Sequence, residues 1–347
     1  MSLKFEVKKL KSGLSLVTAP AESESVTILC MIRAGSRDET ATQHGAAHFL
    51  EHFVFKGTEK FPKPNDVMRA IDAIGGKMNA FTWTDFTGYW VKVDAEQWRL
   101  GLEVVSELVC QPTLPEGELK KEKGAIIEEI RMYEDDHKSK AIDMFEDMIF
   151  PGSGLGRQTV GTEKSMKAMK ISDLKNFRQR WYYPENMIVA VSGRLPQPGV
   201  LQTLVEEKFS SLSGKKKIME KWGYNEVFTQ DSPRVVVTKR KTEQAHFALG
   251  VRGYAASDPR TYTLWVLNQL LGGNLSSRLW DEIREKRGLA YYIRSMFYAH
   301  QDQGVLVIRA GVRLDKLSEA LRVTAGELKK LGKTKVGKEE LLRAKAG

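Results

Sequence analysis

The chain has 347 residues, 41% hydrophobic and 28% charged, which supplies a sizeable core and suits two domains better than one. No run reaches the roughly 18 apolar residues of a membrane-spanning helix, and the first residues lack the apolar stretch of a secretory signal, so a cytoplasmic protein without a membrane partner is expected. The net charge of +10 raises nucleic acid as a ligand, but most lysines stand beside carboxylates; the one purely basic cluster, Lys215-Lys216-Lys217, reads as a solvated linker, and no nucleic-acid role is expected.

In chain order, the first clear element is a strand over Val26–Ile32 that ends in Arg33 and Gly35. It contains Cys30, which with Cys110 makes up the whole cysteine complement, too few for a disulfide framework and consistent with buried reduced thiols. A helix then carries His48-Phe49-Leu50-Glu51-His52. Histidines four residues apart lie on one helix face, one turn from each other, so both imidazoles can reach a single zinc ion. Glu51 is near enough to act as a base on water at that metal. The order H-x-x-E-H reverses the commoner H-E-x-x-H zinc motif and marks a separate group of metallopeptidases. His44 precedes His48 by one turn but reads as an ordinary residue at the helix start, since a catalytic zinc site combines three protein ligands with an open position.

Gly75–Thr82 reads as a hairpin strand, and Gly88–Val93 as a strand feeding an amphipathic helix over Glu96–Leu108. The helix Glu118–Met132 has apolar Ala125, Ile126, Ile127 and Ile130, and carries Glu122 and Glu129 two turns apart on one face. Spacing alone leaves the choice of a carboxylate ligand open between Glu128 and Glu129. Farther on, Ala245–Gly253 repeats the strand ending in a basic residue and glycine, Gly304–Gly311 followed by Leu314–Leu328 repeats the strand–helix pair, and Glu340–Lys345 resembles Glu118–Lys123.

Three matches in one order imply an α+β fold of two repeated α/β units, each a mainly antiparallel sheet covered by helices. The expected divisions are a metal-binding domain over 1–212, a linker over 213–229 and a homologous domain without the metal motif over 230–347. The second copy stops level with Ala125 of the first, so a truncated second unit is expected. It has no H-x-x-E-H, and His246 reads as a histidine packed in a strand.

Ala47-His48-Phe49-Leu50-Glu51-His52 followed by Phe55-Lys56-Gly57-Thr58 resembles the signature of the insulinase/pitrilysin family of zinc metallopeptidases, in its mitochondrial-processing-peptidase-like branch. The resemblance extends over essentially the whole chain. It implies one zinc per chain held by His48, His52 and Glu129, the last with 76 residues between it and His52, and a supporting glutamate at Glu122. Gly75–Thr82 would be the edge strand on which a peptide adds as an extra strand, with Asn79 and Ala80 contacting it. Arg284 and Tyr291, seven residues apart, would hold the substrate carbonyl and developing oxyanion. The implied activity is a zinc endopeptidase with Glu51 as general base, acting on extended peptides inside a chamber completed by a homologous chain, as a homodimer or a heterodimer. The alternative is a catalytically silent structural or partner subunit; relatives of that kind have lost the motif, which is present here.

Overall fold

Period-two burial builds the first sheet. In a computed structural model that describes residues 4–212 and 227–346, its strands are β1 (Glu6–Lys9), β2 (Ser15–Pro20), β3 (Ser25–Ile32), β4 (Lys77–Thr82), β5 (Thr87–Asp94) and β6 (Met187–Gly193). Their spatial order is β1-β2-β6-β3-β5-β4. The β2–β6 pair is parallel and the other pairs are antiparallel. Val26, Ile28, Cys30 and Ile32 of β3 are fully buried, while the residues between them are only partly so. Each fully buried aliphatic side chain contributes about 1.5–3 kcal/mol, so this face fixes where the helices lie.

Those helices are α1 (Ala46–Phe53), α2 (Asp66–Asp72), α3 (Trp98–Cys110) and α4 (Glu116–Asp135). Next come α6 (Glu163–Ala168), α7 (Ile171–Trp181) and α8 (Pro198–Lys208), while α5 (His137–Ile149), between α4 and α6 in the chain, packs on a second sheet. Gly101 lets α3 approach the sheet closely, since a Cβ there would lie 3.2 Å from both Ile28 Cδ1 and Val93 Cγ2. A 3-10 turn, Ala95–Gln97, precedes α3, capped by Asp94 Oδ1 accepting from the Glu96 amide at 2.8 Å.

Contacts divide the chain into two units, Met1–Arg131 with Arg157–Trp222, and Met132–Gly156 with Gly223–Gly347. The second contains β7 (Gln244–Gly253), β8 (Ala290–Ala299) and β9 (Gly304–Arg313) in the order β7-β9-β8, all antiparallel, with α9 (Thr261–Asn268), α10 (Leu317–Lys333) and α11 (Lys338–Ala346). This order matches β3-β5-β4 of the first unit, and β9–α10–α11 matches β5–α3–α4, as the internal repeat implies. In β9, Leu306, Ile308, Ala310 and Val312 join one core, with Leu271 and Ile283. Val305 and Val307 join another with Phe145 and Ile149 of α5. Both faces of β9 are therefore covered, and its apolar run is nearly continuous.

Most of the expected linker, 213–226, including Lys215-Lys216-Lys217, lies outside the described residues. No helix among the described residues is long and apolar enough to cross a membrane.

Candidate metal centre

The position of α1 is set at its first turn. Gly45 precedes the helix in the left-handed region at φ 89°, and a Cβ there would stand 2.4 Å from Met166 Cε. Having no side chain, Gly45 cannot cap the helix. Glu39 does so instead: buried at 4% exposure, it accepts from the Gly45 amide at 2.7 Å and from the Ala47 amide at 2.8 Å. Burial pushes the Glu39 carboxyl up to about 8, against the lowering pull of those two amide bonds. Arg157 donates to the Glu39 carbonyl at 2.9 Å, tying the segment down from the other side. His44 lies outside the helix, contrary to its expected place on the first turn, because the chain turns at Gly45; its Nε2 is bonded to the Gln158 carbonyl at 2.8 Å.

One face of α1 carries Phe49, Leu50 and Phe53, all fully buried, which leaves His48, Glu51 and His52 on the other. The two imidazole centroids are 4.6 Å apart. From α4, Glu129 Oε1 lies 3.7 Å from His48 Nε2, and Glu129 Oε2 lies 3.5 Å from His52 Nε2. Glu128 instead points to Arg131, at 2.7 Å. Glu122, two turns before Glu129 and almost fully buried, lies 3.1 Å from His52 Nδ1. Its other oxygen takes the Lys56 ammonium at 2.7 Å. A proton on Nδ1 directed at Glu122 leaves the Nε2 lone pair for a metal.

The donor set fits zinc. One ring nitrogen each from His48 and His52 and a Glu129 carboxylate oxygen all lie within 4.8 Å of one another. Tetrahedral ligands bound at about 2.1 Å stand about 3.4 Å apart, close to the two nitrogen–oxygen distances above. Burial, with help from His52, lowers His48 to about 3, so it is neutral and ready to ligate at ordinary pH. For His52, burial alone would lower the pKa, but the Glu122 bond and the Glu129 and Glu51 carboxylates outweigh it and raise it. Burial also tends to raise Glu122, yet its bonds to His52 and Lys56 hold it below the usual carboxylate range. Glu51 is raised, chiefly by burial, and its Oε2 accepts from Thr82 Oγ1 at 2.6 Å.

Thr82 ends β4, which stands at the edge of its sheet. On the same strand, Ala80 is buried and Asn79 is exposed, with Asn79 Oδ1 accepting from the Ala80 amide at 2.9 Å. Arg284 and Tyr291 both belong to the second unit, Arg284 in a π-helical segment, Trp280–Glu285, and Tyr291 in β8. Arg284 donates to the Tyr291 carbonyl oxygen and lies 4.4 Å from the centroid of the Trp280 ring, and the Tyr291 side chain is exposed. The motif reading did not single out Glu39, Lys56 or Thr82. Lys56 stands within the quoted signature without an assigned role, and Thr82 lies two residues after Ala80 and so on the same face of the strand.

The sequence pattern described as Insulinase (Peptidase family M16) matches residues 16–163, and that described as Peptidase M16 inactive domain matches residues 168–347. The chain belongs to peptidase family M16. A relative from Streptomyces coelicolor, named an uncharacterized zinc protease, is 36% identical over 340 residues, covering 96% of this chain and 73% of its own. A second with that description, from Bacillus subtilis, is 36% identical over 315 residues, covering 89% of this chain and 75% of its own. The crystal structure of a protease from Helicobacter pylori superposes with a TM-score of 0.91 at 26% identity, over 99% of this chain and 84% of that one. A peptidase M16 inactive domain from Pseudomonas fluorescens shares the fold, with a TM-score of 0.86 at 18% identity over 99% of this chain and 83% of its own. The M16 assignment and the repeated α/β plan both agree with the sequence reading.

Proposed function

We propose that the chain is a zinc-dependent endopeptidase that cleaves peptides or unfolded segments bound as an extended strand. The observation that carries this reading is the convergence of His48, His52 and Glu129, with Glu51 on the same helix face. When bound by these three ligands, zinc supplies Lewis acidity that activates water and polarises a carbonyl. Glu51 accepts the proton as water attacks the peptide carbonyl, and returns it to the leaving amine. Burial raises the Glu51 pKa toward the working range of such a base. Glu122 fixes the tautomer and ring orientation of His52. The free edge of β4 offers main-chain groups to an extended peptide, with Asn79 and Ala80 beside it. Arg284 and Tyr291, from this chain or from a homologous partner in a homodimer or heterodimer, hold the developing oxyanion.

Chelation tests the metal dependence. Cleavage of an unfolded polypeptide should stop on removal of metal and return with about one equivalent of zinc per chain. Stoichiometric zinc without cleavage would favour a catalytically silent partner subunit.

A further inference from the structure

We propose that Thr82 is a positioning residue for Glu51, its hydroxyl holding the carboxylate in the orientation that leaves one oxygen free for proton transfer; this rests on the base role assigned to Glu51 above. The Thr82 Oγ1–Glu51 Oε2 bond is short, at 2.6 Å, and joins the last residue of β4 to the metal-site face of α1. It is the hydrogen bond that Glu51 makes among the described residues, so Oε1 has no competing partner there. A glutamate's terminal torsion is broad and roughly two-fold, and backbone placement alone does not fix it. A hydrogen bond to one oxygen does fix it, and the charge on the acceptor makes that bond stronger than a neutral one.

The donor is itself well anchored. Thr82 pairs with Thr87 in the β4–β5 register, and the buried Thr87 hydroxyl donates to the Ala34 carbonyl at 3.0 Å. Immediately after Thr82, the Trp83 and Thr84 carbonyls accept from the Ser36 and Arg37 amides, both at 3.1 Å. Ser36, Arg37 and Asp38 are all buried, and the same segment continues to Glu39, which caps α1. One buried polar run therefore fixes both the end of β4 and the start of α1. Thr82 is where the two elements meet at the base, and its β-branched side chain has little rotamer freedom.

The test compares Thr82→Val, which keeps the shape and loses the hydroxyl, with Thr82→Ser, which restores it. In zinc-loaded protein, T82V should lower kcat by about 10-fold to 100-fold, the scale of one lost hydrogen bond to a charged group. KM and zinc content should stay near wild type, and T82S should recover most of kcat. Crystal structures of the metal-free proteins provide a readout independent of activity. Glu51 should keep one carboxylate orientation in wild type and T82S, and should turn or split in T82V. A T82V protein with unchanged kcat, equal losses in T82V and T82S, or Glu51 undisturbed in T82V would each overturn the proposal. An inactive wild type in which T82V still displaces Glu51 would refute the peptidase reading and leave the positioning role standing.

Discussion

The two units share the strand order β3-β5-β4 and β7-β9-β8, yet a metal-ligand group is found, among the described residues, only in the first. The difference lies in the segment after the first of these strands. In the first unit it leads to α1, whose start is capped by the buried Glu39 and whose outer face carries two histidines and a glutamate. In the second it leads to α9 and a π-helical run, Gln269–Gly273, with no histidine or carboxylate between Thr261 and Gly273. Its start is held by Asp258, which accepts from the Arg260 amide at 2.9 Å at the surface. One scaffold thus brings three candidate metal ligands together where a short helix is buried and rigidly capped, and carries an Arg284–Tyr291 pair where it is not.

The largest effect that would break this contrast is loss of metal. His48→Ala should remove bound zinc and cleavage together, whereas His246→Ala, in β7, should leave zinc content unchanged. Metal analysis of the two purified variants checks both halves.

The capping difference comes next. Glu39→Ala leaves two amides at the start of α1 without their acceptor and should cost about 2–4 kcal/mol in a denaturation experiment. Asp258→Ala should cost much less, because its partners can bond to water. Equal losses would remove the distinction drawn between the two helix starts.

Tyr291→Phe sharpens the division of labour. It should lower kcat about 100-fold, as removal of one oxyanion donor does, with zinc content intact. Unchanged kcat would leave the second unit without the assigned catalytic role.

The smallest effect is a proton linkage. His48 sits near 3 and needs no deprotonation at ordinary pH, but His52 is raised above 6.5 and must lose a proton before it can ligate. Protons compete with zinc below the His52 pKa, so apparent zinc affinity should rise about tenfold per pH unit up to that value and then level off. Competition with a metal-binding dye across that range reads the slope. A flat profile would mean that His52 is not a ligand or is already neutral.

His48, Glu51 and His52 were legible because helical spacing alone places them on one face. Glu129 was not legible from periodicity, which left it level with Glu128; the family resemblance singled it out, and in the structure Glu129 meets the two histidines while Glu128 turns to Arg131. Glu39 and Thr82 act through loop geometry and a strand-to-helix contact, which no local period encodes. The repeated strands could be read from pattern, since alternation reports one buried face. That α5 covers the other face of β9 could not, because a pattern says which residues are buried and not against what.

Zinc-loaded Glu51→Gln, compared with wild type on an unfolded polypeptide, tests the central claim most directly. The variant should keep about one zinc per chain and lose cleavage by about a thousandfold or more, since Gln retains the shape and cannot take the proton. Cleavage at the wild-type rate by the zinc-loaded variant would contradict the role given to Glu51 and the mechanism built on it.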